Sequence, residues 1–546
     1  MQPAYVIGLD FGTDSVRALV VNTEDGKEMS SGVAYYPRWK KGLYCDAAHS
    51  RFRQHPSDHM EAMQQAVKQA LAALDTGTVQ QIKSIALDAT GSTPGPVDEA
   101  GTPLALLPGF EEDPDAMFIL WKDHTAQKEA DEINALAHAW AVDYTAYSGG
   151  LYSPEWFWSK ILHTIRVNQK VREKAFSWVE HCDWLTALLT GETNPLFIKR
   201  NRSAAGHKAM WNENFGGLPS ENFLRTLDPY LGDLKNRLYK DTTEADHPAG
   251  HLCAEWADKF GLPEGITVAA GSIDAHVGAV GANIEPYTLV KVMGTSTCDM
   301  VVVPNEPHQH TLVKGICGQV NGSILPGMLG LEAGQSAFGD VYQWYVRILS
   351  FTLDSAATGI ITEEQANSIQ ENILPLLDEK AKTLPVTEND PVALDWINGR
   401  RTPDVDLSLK AAIAGLQLGT DAVTIFKALV EATAFGSRAI VQRFEEQGIP
   451  IHKVIAIGGI SRKSGFVMQT LANVLNRPIR VMRSEQACAL GAAMLAATAA
   501  GIYSSVAEAQ QKMKTGIEKE YLPEKNKAAV YEKLYSRYLA LGRFTG

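Results

Sequence analysis

At 546 residues the chain is longer than one hydrophobic core usually organises, so two large domains are expected and a single small module is excluded. Its 45% hydrophobic and 21% charged residues, with 45 Gly and 25 Pro, are ordinary for a globular protein and exclude long disorder or a collagen-like chain. With 50 Lys plus Arg against 63 Asp plus Glu, the net charge is −13; that field repels polyanions, so nucleic acid is not an expected partner.

Six cysteines (Cys45, Cys182, Cys253, Cys298, Cys317 and Cys488) are scattered without a CxxC spacing, which argues against a disulfide framework or a structural zinc site and for reduced thiols in a cytoplasmic protein. The first ten residues lack a basic n-region and carry Asp10, so they do not read as a secretory signal. Gly491 to Ile502, the most apolar late stretch, falls short of the roughly 20 residues of a membrane span, and no membrane partner is expected.

In chain order, Tyr5–Asp10 and Ser15–Val21 are apolar runs flanking Gly12-Thr13, which predicts a hairpin, and Asp25-Gly26 predicts a turn into a third strand near Glu28–Tyr36. Met60, Met63, Val67, Leu71 and Leu74 recur at helical spacing, and Ile82–Asp88 follows as a strand ending at Gly91. Ile266–Ala270 is a further strand before Gly271-Ser272-Ile273-Asp274. Residues 287–303 then repeat the strand, Gly-Thr turn, strand pattern of residues 5–21 around Gly294-Thr295. A duplicated architecture with a boundary near residue 283 is predicted. The last third reads as a long helix over Ala422–Glu446, a strand at Val454–Ile457, Gly458-Gly459, a helix, a strand at Ile479–Val481 and an Ala-rich helix over Glu485–Ala500. The whole is α/β.

Neither a P-loop nor a GxGxxG fingerprint occurs, so a bound phosphate has to be held in another way. Two Gly-Thr turns offer one, because glycine lets the backbone approach while N–H groups and hydroxyls point inward. Asp10, directly before the first turn, is suitably placed to anchor Mg²⁺, and Arg17 lies just beyond it. An ordinary hairpin turn explains Gly12-Thr13 as well. Asp274, just past a buried strand, suits a base that takes a hydroxyl proton during phosphoryl transfer, and equally a helix N-cap. Gly458-Gly459 suits a flat base or ribose against the backbone, and equally close helix–strand packing.

Taken together, Asp10-Phe11-Gly12-Thr13-Asp14-Ser15, Gly271-Ser272-Ile273-Asp274-Ala275, Gly294-Thr295-Ser296 and Gly458-Gly459-Ile460-Ser461-Arg462 resemble the FGGY carbohydrate kinases of the actin-like ATPase superfamily. The Glu485 to Ala493 stretch is similar to that family's Ala-Leu-Gly-Ala-Ala helix. Within it, Asp88–Thr93, Leu120–His124, Gly206–Trp211 and Leu331–Ser336 resemble the members that phosphorylate L-ribulose in L-arabinose catabolism.

The resemblance implies two actin-like (ribonuclease H-like) α/β domains with a nucleotide and sugar cleft between them. Residues 1–283 would be mainly sugar-binding and 284–546 mainly nucleotide-binding. It implies ATP and Mg²⁺, with Asp274 as the general base, Asp10 at the metal, and Thr13, Ser15, Arg17, Thr295, Gly339, Gln343, Gly459 and Lys463 at the nucleotide. Ser92, Thr93, Lys208, Asp274 and Glu332 would meet the sugar, L-ribulose or a related pentulose. A solvated lysine at 208 and a helix-start carboxylate at 332 are the bland alternatives. A homodimer is left open.

His55 and His59, four apart, lack a third ligand and read as surface histidines. Trp156, Phe157, Trp158, Trp178 and Trp184 read as core packing rather than a sugar platform, and Lys512–Lys527 as a solvated face. Two rival functions stand: another kinase of the family, acting on xylulose, ribitol or glycerol, and a non-catalytic nucleotide switch on the actin-like fold.

Overall fold

The computed structural model describes residues 4–308, 311–353 and 361–545, so Met1 to Pro3 of the opening segment fall outside it. Strand β1 (Tyr5–Phe11) is buried along its whole length, as an apolar run interrupted only by Asp10 requires of a strand covered on both faces. It pairs antiparallel with β2 (Ser15–Asn22), Phe11 facing Val16 across the Gly12-Thr13 turn, and β2 pairs antiparallel with β3 (Glu28–Tyr35). Helix α1 (Pro56–Ala72) covers this meander, and β4 (Ile82–Ala89) runs parallel to β1 with Asp10 beside Asp88. The sheet continues through β6 (Thr267–Ala269) to β5 (Pro248–His251), in the order β5-β6-β4-β1-β2-β3, with β7 (Ser272–Ile273) also on β4. Three helices hang on this half: α2 (Phe157–Val167), α3 (His181–Thr190) and α4 (Arg202–Lys208).

After α5 (Asp274–Gly281) the pattern starts again. Strand β8 (Thr288–Met293) pairs antiparallel with β9 (Thr297–Pro304), β9 pairs antiparallel with β11 (Met328–Ala333), and β12 (Lys453–Ile457) runs parallel to β8. With β10 (Gly318–Asn321), β13 (Ile479–Met482) and β14 (Ile517–Tyr521) the second sheet has the order β10-β11-β9-β8-β12-β13-β14. The antiparallel meander and its parallel neighbour thus occur twice, with strands drawn from either side of residue 283.

Helices α6 (Gly339–Ser350), α7 (Ala422–Glu446), α8 (Gly459–Lys463) and α9 (Gly465–Leu475) belong to the second half. The Asp421 side chain caps α7 by accepting from Thr424 N–H at 2.8 Å, and α7 matches the predicted span residue for residue.

Helix α10 (Ala487–Ala499) is apolar on all sides and buried, as a helix must be when it lies inside a protein. Together with α5 it joins Val6 and Leu19 of the first sheet to Val290, Val302 and Ile455 of the second in one apolar cluster. The two helices touch backbone to backbone: a Cβ on Gly491 would lie 2.0 Å from the Val277 carbonyl, so glycine is required at the crossing. No helix among the described residues is long and apolar enough to cross a membrane. All six cysteines are free.

His55 and His59 are not surface residues. His55 caps α1 through Nδ1, and His59 is fully buried against His181 and Phe118, because helix α1 turns that face to the first sheet.

Candidate active site

The carboxyl ends of β1, β4, β7, β8 and β12 carry Asp10, Asp88, Ile273, Met293 and Ile457, the end of a parallel arrangement where ligands of α/β proteins gather. Between the two halves lies a cavity of about 460 Å³. Thr13 of the first turn and Gly294, Thr295 and Ser296 of the second both line it, together with Asp274, Lys208 and Glu332. The two hairpin turns therefore face one space.

Asp274 is the first residue of α5; Ile273 is the N-cap, and the Asp274 carboxylate accepts from Ala275 N–H at 2.7 Å. Burial, and then the nearby Asp10 carboxylate, raise its pKa to about 7, the range in which a group accepts a proton efficiently at neutral pH. Burial also raises Asp10, while Arg17 at 3.5 Å draws it back. Asp88 is sealed from solvent, and among the described residues no N–H or O–H group donates to either oxygen. Burial and the flanking carboxylates of Asp10 and Asp274 push it well above the usual carboxylate range.

Lys208 ends α4, whose start is fixed by Asn201 accepting from Ala204 N–H at 3.1 Å. It is buried rather than solvated. Its Nζ donates to the two Glu332 oxygens at 2.7 and 3.0 Å, and Glu332 stands on strand β11, not at a helix start. Burial opposes both charges, yet Lys208, then His276 and His207, hold Glu332 well below the usual carboxylate range, and Glu332 keeps Lys208 above its ordinary value. A second cross-cavity pair joins Arg401 to Glu155 at 3.1 Å, and His124 meets the same carboxylate at 2.8 Å. Burial would raise Glu155, but Arg401 and His124 outweigh it and hold it at about 2.

The structure sorts the remaining expected residues. Thr13 accepts from the Trp121 indole at 3.1 Å, which places Trp121 on the wall. The buried Ser15 hydroxyl donates to Asp14 at 2.8 Å. Thr295 is tied to α6 by Phe338 N–H and Asp340 N–H, at 2.8 and 3.1 Å, and Gly339 N–H donates to Gly294 at 3.1 Å. At Gly458 the backbone turns at φ +94°, and a Cβ would meet the Met293 carbonyl at 2.5 Å. Thr295, Gly339 and Gly459 therefore surround one turn, while Gln343 and Lys463 are exposed outside the cavity.

Ser92 and Thr93 depart from expectation. Both are buried behind the wall, where the Ser92 hydroxyl and Thr93 N–H donate to Glu180, so Thr90 and Gly91 line the cavity instead. Trp156 also departs: it lines the cavity, while Phe157, Trp158, Trp178 and Trp184 are core. Arg401 and Glu155 carry no sequence signal, since an isolated charge on a loop forms no pattern. Two cysteines of the wall, Cys298 and Cys317, have thiols raised by burial and Glu332, and so stay protonated.

Comparison with known proteins decides the family. Residues 5–281 match the N-terminal domain, and 289–500 the C-terminal domain, of the FGGY family of carbohydrate kinases. The chain belongs to that family. A ribulokinase of Vibrio parahaemolyticus is 48% identical over 544 residues, covering 99% of this chain and 95% of the relative. A ribulokinase of Halalkalibacterium halodurans is 37% identical, covering 100% and 96%. Solved structures with the same fold include a ligand-bound xylulose kinase from Lactobacillus acidophilus (TM-score 0.77, 19% identity, 98% and 97% covered) and a Plasmodium falciparum glycerol kinase with ADP (TM-score 0.75, 16% identity, 99% and 98% covered). At such identities these neighbours establish the fold.

Proposed function

We propose that the chain transfers the γ-phosphoryl group of ATP to the primary hydroxyl of L-ribulose, giving L-ribulose 5-phosphate. Residues 1–283 would act as the mainly sugar-binding domain and 284–546 as the mainly nucleotide-binding one. The observation that carries this reading is the single cavity in which a carboxylate with a pKa of about 7, two glycine turns and a buried Lys–Glu pair meet. The near full-length similarity to ribulokinases supports the choice of sugar.

Phosphoryl transfer asks the protein chiefly for positioning and charge stabilisation. Lys208 and Glu332 hydrogen-bond the sugar's oxygens and turn its primary hydroxyl toward Asp274. Asp274 takes the hydroxyl proton as the oxygen bonds to phosphorus, and ADP leaves. Thr13, Arg17 and Thr295, with the N–H groups of both turns, hold the phosphates. Gly339 and Gly459 face the nucleoside, with Gln343 and Lys463 at its rim. The Arg401–Glu155 pair closes the sugar side against water, which would otherwise compete for the phosphoryl group.

The carboxylates of Asp10 and Asp88 fit Mg²⁺: their oxygens lie within 4.8 Å of each other, and Asp88 is buried with no donor among the described residues to satisfy it. When bound there, Mg²⁺ supplies positive charge against the phosphate oxygens.

The test is a panel: turnover with L-ribulose, xylulose, ribitol and glycerol, measured by coupled ADP release. The expected result is the highest kcat/KM for L-ribulose; a higher value for glycerol or a xylulose assigns the chain to another kinase of the family.

A further inference from the structure

The groups behind Glu332 carry a step that rests on reading Lys208 and Glu332 as sugar contacts. His276 stands two residues after Asp274 on α5, 1% exposed, and does not line the cavity. Its Nε2 lies 3.1 Å from Glu332 Oε2, and its Nδ1 faces the hydroxyl of Ser203. Nε2 carries the proton that it donates to the carboxylate, and Nδ1 shares a hydrogen bond with the Ser203 hydroxyl. The His207 ring packs edge-on against it, centroids 4.7 Å apart at 75°, and is itself anchored by Ser323 at 3.0 Å. Ligand atoms of His207, His276 and Glu332 lie within 4.8 Å of one another, as in a metal site. The Lys208 ammonium already neutralises the same carboxylate, and His207 Nδ1 faces it at 3.5 Å without a hydrogen bond among the described residues.

Glu332 is thus gripped from two sides, by Lys208 on the cavity wall and by His276 behind it. A glutamate has three rotatable bonds, and Lys208 is no more rigid. His276 adds a second hydrogen-bonding point on the side opposite Lys208, which restricts where the carboxylate can sit. The same hydrogen bond ties α5, which carries Asp274, to β11 in the second sheet.

We propose that His276, oriented by Ser203, is a positioning residue for sugar recognition: it clamps the Glu332 carboxylate in place for the sugar and sets sugar affinity without touching the sugar. Outer partners of this kind are known to govern how well a contacting group works.

The test compares His276→Leu, His276→Gln and Ser203→Ala with the unchanged protein. The readouts are melting temperature, KM for sugar and for ATP, kcat, and direct calorimetric binding of L-ribulose. His276→Leu is expected to raise the sugar KM and Kd roughly 10- to 100-fold, the range for a hydrogen bond to a charged group, while the ATP KM is unchanged and kcat at saturating sugar stays within about threefold. His276→Gln keeps an N–H at the reach of Nε2 and is expected to recover most of the affinity; Ser203→Ala is expected to shift it a few-fold in the same direction. Sugar affinity unchanged in His276→Leu, or a Gln variant no better than Leu, overturns the proposal. If the Leu variant does not fold, the Gln and Ser203→Ala variants decide it: unchanged sugar binding in Ser203→Ala with a weak-binding Gln variant overturns it. Failure of the unchanged protein to bind L-ribulose, with turnover of another sugar, contradicts the substrate assignment instead, and the same variants are then read with that sugar.

Discussion

The two walls of the cavity are built differently. On the wall proposed for the sugar, polar groups are paired with one another: Lys208 with Glu332, both buried, Arg401 with Glu155, both partly buried, and behind them Glu180 accepting from Ser92 and Thr93. On the wall proposed for the nucleotide Gln343, Gly459 and Lys463 are exposed, and the Gly294 and Thr295 carbonyls of the turn accept from the start of α6. A site that must reject close relatives of its substrate gains most from desolvated polar groups that a wrong ligand leaves unpaired, whereas phosphates common to every nucleotide are held well enough by N–H groups and glycine. Substitutions on the two walls should therefore differ in kind.

The largest effect is expected between the walls. Asp274→Asn removes the proton acceptor while keeping its shape, so kcat should fall about 10²- to 10⁴-fold, with sugar and ATP affinities, measured calorimetrically, kept within a few-fold. In the unchanged protein Asp274 works only when ionised, and its pKa is raised to about 7. The kcat/KM for sugar should then climb about tenfold per pH unit below 7 and level off above it. A profile flat from pH 5 to 9 counts against this residue as base.

Next comes the sugar wall. Lys208→Met leaves the Glu332 carboxylate buried without its cation, a change that costs about 3–5 kcal/mol, so both melting temperature and L-ribulose binding should drop. Replacing both residues with methionine should restore much of the stability but not the binding. Restored binding in that double variant would show the pair to be structural only.

Behind the same wall, His59 and His181 are buried, and among the described residues no group hydrogen-bonds any of their ring nitrogens. Burial holds His59 well below its usual pKa and His181 at about 3. The unfolded chain binds protons near pH 6.5 and the folded chain does not, so the stability is fully present above 6.5. It is lost as pH falls from there toward 3, at up to about 1.4 kcal/mol per unit for each histidine. Thermal melts from pH 7.5 to 4.5 should show this slope, and His181→Phe should flatten it. The smallest effect is expected on the nucleotide side, where Lys463→Ala should change the ATP KM by no more than about threefold and the sugar KM not at all, because an exposed charge contributes little.

How much of this was legible before the fold was known follows from the kind of signal each residue carries. Periodicity and turn chemistry located β1, β2, α7 and α10, because an apolar run or a 25-residue amphipathic stretch allows one structure. The joint order of Asp10, Gly12-Thr13, Asp274 and Gly294-Thr295 pointed to one cleft, and those turns do share a cavity. Side-chain direction was not legible. Ser92 and Thr93 follow the expected strand but turn inward to Glu180, an acceptor 88 residues along the chain from Ser92. His59 stands at helical spacing before Ala62, Met63, Ala66 and Ala70, on the apolar face of α1 that meets the first sheet. Arg401 and Glu155 find each other across 246 residues, a separation at which sequence holds no trace of pairing.

The central claim is that phosphoryl transfer requires both walls to be filled at once, and the most direct measurement is the initial rate of ADP release from ATP and Mg²⁺ with and without L-ribulose. The account predicts release at background without sugar and a saturable rate with it, abolished by Asp274→Asn. Equal rates with and without sugar, insensitive to that substitution, would contradict it.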